Sequence, residues 1–104
     1  MSIEHQLVFQ LPTASLRDLD LLATIEEALQ QALGELGLVD GHDIGSGEMN
    51  VFIFTEAPEL ASQRCLTVFR DLQLLGSLRG GVREVGTNEF QAVWPRGATG
   101  FRIV

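Results

Sequence analysis

Four ionisable side chains, Asp40, His42, Asp43 and Glu48, crowd the first half of one short stretch, DGHDIGSGEMNVFIFTEAPE at residues 40–59. Carboxylates and imidazole ligate divalent cations, so metal binding is the first chemistry to test. A calcium loop of the EF-hand kind starting at Asp40 places Gly45 at its required sixth position. The same frame puts Ile44 at the fifth position and Val51 at the twelfth, where a bidentate glutamate belongs. On an extended strand alternate residues share a face, so Asp40 and His42 can converge while Asp43 points away. No metal and no cofactor are expected, and the four residues stand as candidate ligand-binding residues of a loop.

A phosphate site fits no better. Gly45-Ser46-Gly47 is followed by Asn50 where a GxGxxG motif needs its last glycine, and by a strand former instead of a helix. No helix N-terminus is there to hold an anion, and Glu48 repels one. Nucleophilic chemistry is also short of parts. The chain has no lysine and no tyrosine, which removes Schiff-base chemistry and one class of general acid. Cys65 falls on the apolar stripe of a helix, and a buried thiol resists ionisation. His5 starts a strand, and no Ser-His-Asp or Cys-His set assembles. No catalytic residue is expected. An enzyme reading would need a pocket between helices and sheet and would lean on Asp40, His42 or Glu48. The stronger reading of the stretch is a hairpin: Gly41, Gly45 and Gly47 permit a twisted or bulged turn, and the acids keep an edge solvated.

The elements that must position these residues follow from periodicity. HQLVFQL (5–11) alternates, with Leu7, Phe9 and Leu11 on one face and Gln6, Val8 and Gln10 on the other. Pro12 ends it, and Ser15 is an N-cap candidate with Asp18 in the first turn. From Leu16 the period becomes helical, through Leu19, Leu22, Ile25, Leu29, Ala32, Leu33 and Leu36, with Gly34 or Gly37 as the stop. LVDGHDI (38–44) reads as a short edge strand, GSG as the turn, and EMNVFIFT (48–55) as a central strand apolar on both faces. Pro58 opens a second helix whose stripe is Ala61, Cys65, Val68, Phe69, Leu72 and Leu75, with Gly76 as its end. VREV and EFQAVWP read as extended, with Phe90, Ala92 and Trp94 on one face and Gln91 and Val93 on the other. Trp94 is expected in the core, and FRIV (101–104) as a terminal edge strand.

The order strand, helix, strand, strand, helix, strand predicts an α+β, two-layer ferredoxin-like βαββαβ sandwich. An antiparallel sheet would carry two helices on one face, with a possible extra C-terminal strand or hairpin. At 104 residues, 45% of them hydrophobic, the chain suits a single domain with its own core. No apolar run approaches the ~20 residues of a membrane helix, and MSIEHQLVFQLP lacks the basic start and apolar core of a secretory leader. One cysteine fits a reducing cytoplasm. Seven arginines against fourteen acids give a formal net charge of −7. That balance argues against nucleic acid and anionic lipid as partners. It permits steering of a basic protein, though solubility alone accounts for it.

The stretch also resembles a pattern in small, stand-alone bacterial α+β proteins: Asp-Gly, a short spacer, Gly-x-Gly-Glu, an apolar strand, then a helix opening with Pro or Asp. Here Asp40, Gly41, Gly45, Gly47 and Glu48 carry the match, over about a fifth of the chain. Phe52 and Phe54 stand where tyrosines are common, and Thr55-Glu56 where a Tyr-Gly break is common. That family is functionally uncharacterised, so the resemblance implies a fold more than an activity.

Two helices cover one sheet face only. The other is expected to be apolar at its centre, from Val51 and Ile53 or from Phe52 and Phe54, joined by Val8 and Val93, with Gln6, Gln10 and Gln91 around them. An apolar centre with a polar rim marks an association surface. A second copy, another protein, a small apolar ligand or the tail Phe101–Val104 could close it. The expected function is a non-enzymatic module that binds a protein or pairs as a homodimer through this face. The alternatives are an acidic immunity-type inhibitor of a basic toxin, a small ferredoxin-like enzyme, or a structural subunit of a larger assembly.

Overall fold

The structure, a computed structural model, describes residues 3–13 and 17–103. Its elements are β1 (His5–Pro12), α1 (Arg17–Leu33), β2 (Gly37–Gly45), β3 (Glu48–Thr55), α2 (Pro58–Asp71), β4 (Arg79–Glu84) and β5 (Gln91–Trp94), with one 3-10 turn at Gly34–Leu36. The strands form one sheet in the order β2-β3-β1-β4-β5, and every neighbouring pair is antiparallel. The described residues therefore form an α+β fold with five strands and two helices. The fifth strand, hairpinned outside β4, distinguishes the sheet from a plain four-stranded βαββαβ plait.

Register explains which face is which. Leu7, Phe9 and Leu11 of β1 stand opposite Ile53, Val51 and Met49 of β3. Cross-strand partners share a face. These six pack with Leu22, Ile25, Leu29 and Leu33 of α1 and with Ala61, Cys65 and Phe69 of α2 in one buried cluster. Phe9 and Phe69 meet with ring centroids 5.2 Å apart. Full burial of each such side chain contributes roughly 1.5–3 kcal/mol, so this seam between sheet and helices dominates the stability.

Helix ends follow backbone geometry. Gly34 has φ of 55° and releases α1 into the 3-10 turn. The Ser15 cap and the side chain of Leu19 lie outside the described residues. Pro58 occupies the first turn of α2 as expected. The helix stops at Asp71, before Gly76, because Gln73 takes the left-handed conformation at φ 61°. Leu74 N–H then donates to the Phe69 carbonyl, 2.9 Å away, closing the end.

Three other expectations fail for physical reasons. Phe101–Ile103 forms no strand. A register shift where β4 meets β5 sets Ala92 opposite Gly81 but Trp94 opposite Gly80, so Ala92 and Trp94 do not share a face. Trp94 instead packs against the core cluster and donates its indole N–H to the Leu75 carbonyl at 3.2 Å. Val93 also packs against that cluster, on the helix side. Gln91 stands opposite Val82, the partner of Leu7, and so leaves the far face as well. Among the described residues no helix is long and apolar enough to cross a membrane.

Candidate functional site

The β2–β3 hairpin forms as the glycines require. Ser46 (φ 54°) and Gly47 (φ 77°) are both left-handed, the geometry of a tight two-residue hairpin turn. Thr13 N–H donates to the Gly47 carbonyl at 2.8 Å and ties the turn to the end of β1. The four ionisable candidates do not converge. The register shifts between Val39 and Gly41, so Asp40 is the extra residue of a bulge, and it is exposed. Beyond the bulge His42 stands opposite Val51, on the helix side, while Asp43 stands opposite Asn50 on the far side. Glu48 starts β3, half-buried, with its Oε2 shielded and, among the described residues, without a hydrogen-bond partner. Among the described residues, no group of three His, Cys, Asp or Glu side chains could hold a metal ion.

His42 has a structural partner instead. Its Nδ1 lies 2.9 Å from Glu26 Oε1 on α1. One helical turn on, Gln30 grips the backbone of the same edge strand. Its Oε1 accepts from Val39 N–H at 2.9 Å, and its Nε2 donates to the Gly37 carbonyl at 3.1 Å. Residues four apart on a helix lie one above the other, so α1 holds β2 on both sides of the bulge. The backbone groups that an edge strand leaves free are thereby taken up at Gly37 and Val39.

The face away from the helices carries Gln6, Val8 and Gln10 of β1 beside Phe54, Phe52 and Asn50 of β3. Its centre is closed by the C-terminal segment. Phe101 is only 8% exposed, and it lies directly over Gly81, where a Cβ would collide with its ring. Phe90 packs edge-on against Phe101 at 5.4 Å. Gln10 Nε2 donates to Asn50 Oδ1 at 3.1 Å and to the Arg102 carbonyl at 3.4 Å. Val8 is fully buried as a result. Toward β2 the cover ends: Leu38, opposite Phe54, is 58% exposed, and Phe52 and Phe54 are half-buried.

A groove of about 1030 Å³ opens on the helix side, between α2 and the β4–β5 hairpin. Ser62, Leu66, Val82 and Val93 line its interior, and Glu59, Glu84 and Glu89 are exposed around it. His5 also reaches it, with Nδ1 2.9 Å from the Ile3 carbonyl. Cys65 lies in the core, and desolvation by burial pushes its thiol up to about 12, out of reach as a nucleophile at neutral pH.

Sequence reading missed the groove and the ring seat at Gly81. The adjacent Gly80-Gly81 pair was the available signal for the second, since neighbouring residues without side chains in a strand mark close approach by other groups. Glu84 and Glu89 are near in sequence, but Glu59 is too far from them for the three groove carboxylates to announce one another. Compared with protein-family models, curated proteins and solved structures, the chain matches none.

Proposed function

We propose that the protein is a non-enzymatic binding module that pairs with a second copy of itself through the sheet face away from the helices. The observation that carries this reading is the apolar strip Leu38–Phe54–Phe52, which the C-terminal segment leaves partly open. A two-fold interface brings one patch against itself. Charge on this face suits that arrangement. Arg79 and Arg83, which stand opposite Gln10 and Gln6, lie on one side of the strip with Arg102 nearby, and Asp43 lies on the other. An antiparallel pair sets the arginines of one copy toward the aspartate of its mate, which offsets the repulsion between two acidic chains.

The finer fold assignment supports the same reading. We read the sheet as a ferredoxin-like sandwich with β5 added, a reading that the order β2-β3-β1-β4 within it supports; the single helix layer of such a sandwich leaves one sheet face to be covered. The likeness to small stand-alone bacterial proteins, and a cytoplasmic setting for the lone buried thiol, belong to the same proposal.

Sedimentation of the wild-type chain over micromolar to millimolar concentrations tests it. A dimer is expected, and Leu38→Asp or Phe54→Asp should dissociate it while leaving the circular dichroism spectrum unchanged. A strict monomer throughout, or a dimer indifferent to both substitutions, contradicts the proposal.

A further inference from the structure

The two edges of the sheet are not equivalent. Both edge strands carry a register shift, but on β2 the Gln30 amide also occupies outward-facing backbone groups. β5 is last in the sheet order, and among the described residues no strand lies beyond it. After Trp94 the chain turns, with Ala98 N–H on the Pro95 carbonyl at 3.1 Å, and then crosses to the far face at Phe101. The free edge of β5 therefore borders the groove. An unpaired strand edge is a template for an added strand, with pockets reading alternate side chains.

The groove adds a chemical preference. Leu66, Val82 and Val93 give it an apolar floor, and all three are half-buried. Glu59 on α2, Glu84 at the end of β4 and Glu89 before β5 project around that floor. Among the described residues none of the three is in an ion pair. One cation, Arg83, also lines the groove, but its guanidinium is held on Gln6 Oε1 and the Thr87 carbonyl, both at 2.7 Å, and over the Phe90 ring, so it pairs with none of the three. Ser62 points the same way. It is 93% buried by its 7% exposure, it lines the groove, and its hydroxyl has no partner among the described residues. Thr24 and Thr67, by contrast, return their hydroxyls to the carbonyl four residues earlier.

We infer that this groove receives an extended basic segment of a partner protein. The segment adds to β5 as a sixth strand and sets arginine or lysine side chains among Glu59, Glu84 and Glu89. Apolar side chains of the segment rest on Leu66 and Val82, and Ser62 supplies a hydrogen bond inside. The groove meets the far face at Arg83 and Phe90, but its floor lies on the helix side, away from the Leu38–Phe54–Phe52 strip, so the inference stands whether or not the protein dimerises through that strip.

The test uses the full chain and a capped hexapeptide of alternating arginine and valine, followed by NMR. Binding should shift the methyl signals of Leu66, Val82 and Val93 and the amides of Gln91–Trp94. Glu59→Gln, Glu84→Gln and Glu89→Gln together should weaken it about tenfold, three exposed ion pairs at about half a kcal/mol each. Methylating alternate peptide nitrogens should abolish it by removing the added ladder. A glutamate-for-arginine peptide should not bind. The inference is overturned by any of four results: no binding, shifts at β2 or the far face instead, equal affinity for the triple variant or the methylated peptide, or equal affinity for butylguanidine. The last would make the groove a pocket for a small organic cation.

Discussion

Gly80 and Gly81 sit side by side in β4, and each meets a phenylalanine ring on its own side of the sheet. A Cβ at Gly80 would come within 2.9 Å of Phe9, and one at Gly81 would collide with Phe101. Phe9 belongs to β1, is paired on both flanks by β3 and β4, and stacks with Phe69 of α2. Phe101 lies in an irregular segment, leaning on Phe90, with the neighbouring Arg102 carbonyl accepting one long bond from Gln10. The helix side is thus closed by regular elements whose ladders already hold them, and the far side by a segment with little to hold it but its own contacts. Equal burial of two rings need not mean equal resistance to change.

Substitutions on the two sides should separate accordingly. Val51→Asp buries a charge among α1 and α2 and should leave no folded protein, whereas Phe52→Asp on the next residue should fold, as circular dichroism would show. Equal loss from both would erase the distinction. Phe9→Ala should cost about 3–5 kcal/mol in urea unfolding. Phe101→Ala should cost less, roughly 1.5–3 kcal/mol. Gly81→Ala should approach the Phe101→Ala value, and the double variant should be little worse than either single one, since both empty the same seat. Additive losses would show that the ring is not held there.

A smaller effect reports how dry the helix side is. The Cys65 thiol, raised from 9.0 to about 12 by burial, stays protonated in the folded chain while the unfolded chain ionises above pH 9. The folded state then binds more protons, so this contribution is complete below pH 9 and is lost as pH climbs toward 12. The slope is about 1.4 kcal/mol per pH unit. Cys65→Ala should flatten that alkaline decline, and native protein should resist thiol reagents at pH 8. Smallest of all is the His42–Glu26 pair, with side chains 44% and 23% exposed. Its removal by Glu26→Gln should cost under about 1 kcal/mol; a larger loss in thermal unfolding would mean that α1 holds β2 chiefly through that pair.

Much of this architecture was legible in the residues. The alternation of Leu7, Phe9 and Leu11, the stripe Leu22–Ile25–Leu29–Leu33 and the glycines around Ser46 each carry a period or a backbone demand that survives folding. What stayed hidden lacked a local mark. Gly41 permitted a bulge, but nothing local marked Asp40 as the residue in excess of the ladder, and that position decides that His42 faces α1. Gln73 adopts a conformation that glycine would have advertised. Phe101, between Gly100 and Arg102, reads as an edge strand and as a loose tail with equal ease. The site was less legible than the fold. Asp40, His42, Asp43 and Glu48 are close along the chain but are dispersed by pleat and bulge, whereas Glu59 is remote along the chain from Glu84 and Glu89 and is gathered with them by α2 and the β4–β5 hairpin.

The bulge has a mechanical consequence. Val39 and His42 are three residues apart, an odd number, and yet both look toward α1; a regular pleat would send one of them away. The extra residue changes the phase of the strand halfway along. A one-residue slip would turn both halves of β2 to the wrong face, and a longer one would carry Val39 and His42 away from Gln30 and Glu26, so the bulge and the two helix contacts together pin the hairpin in one register.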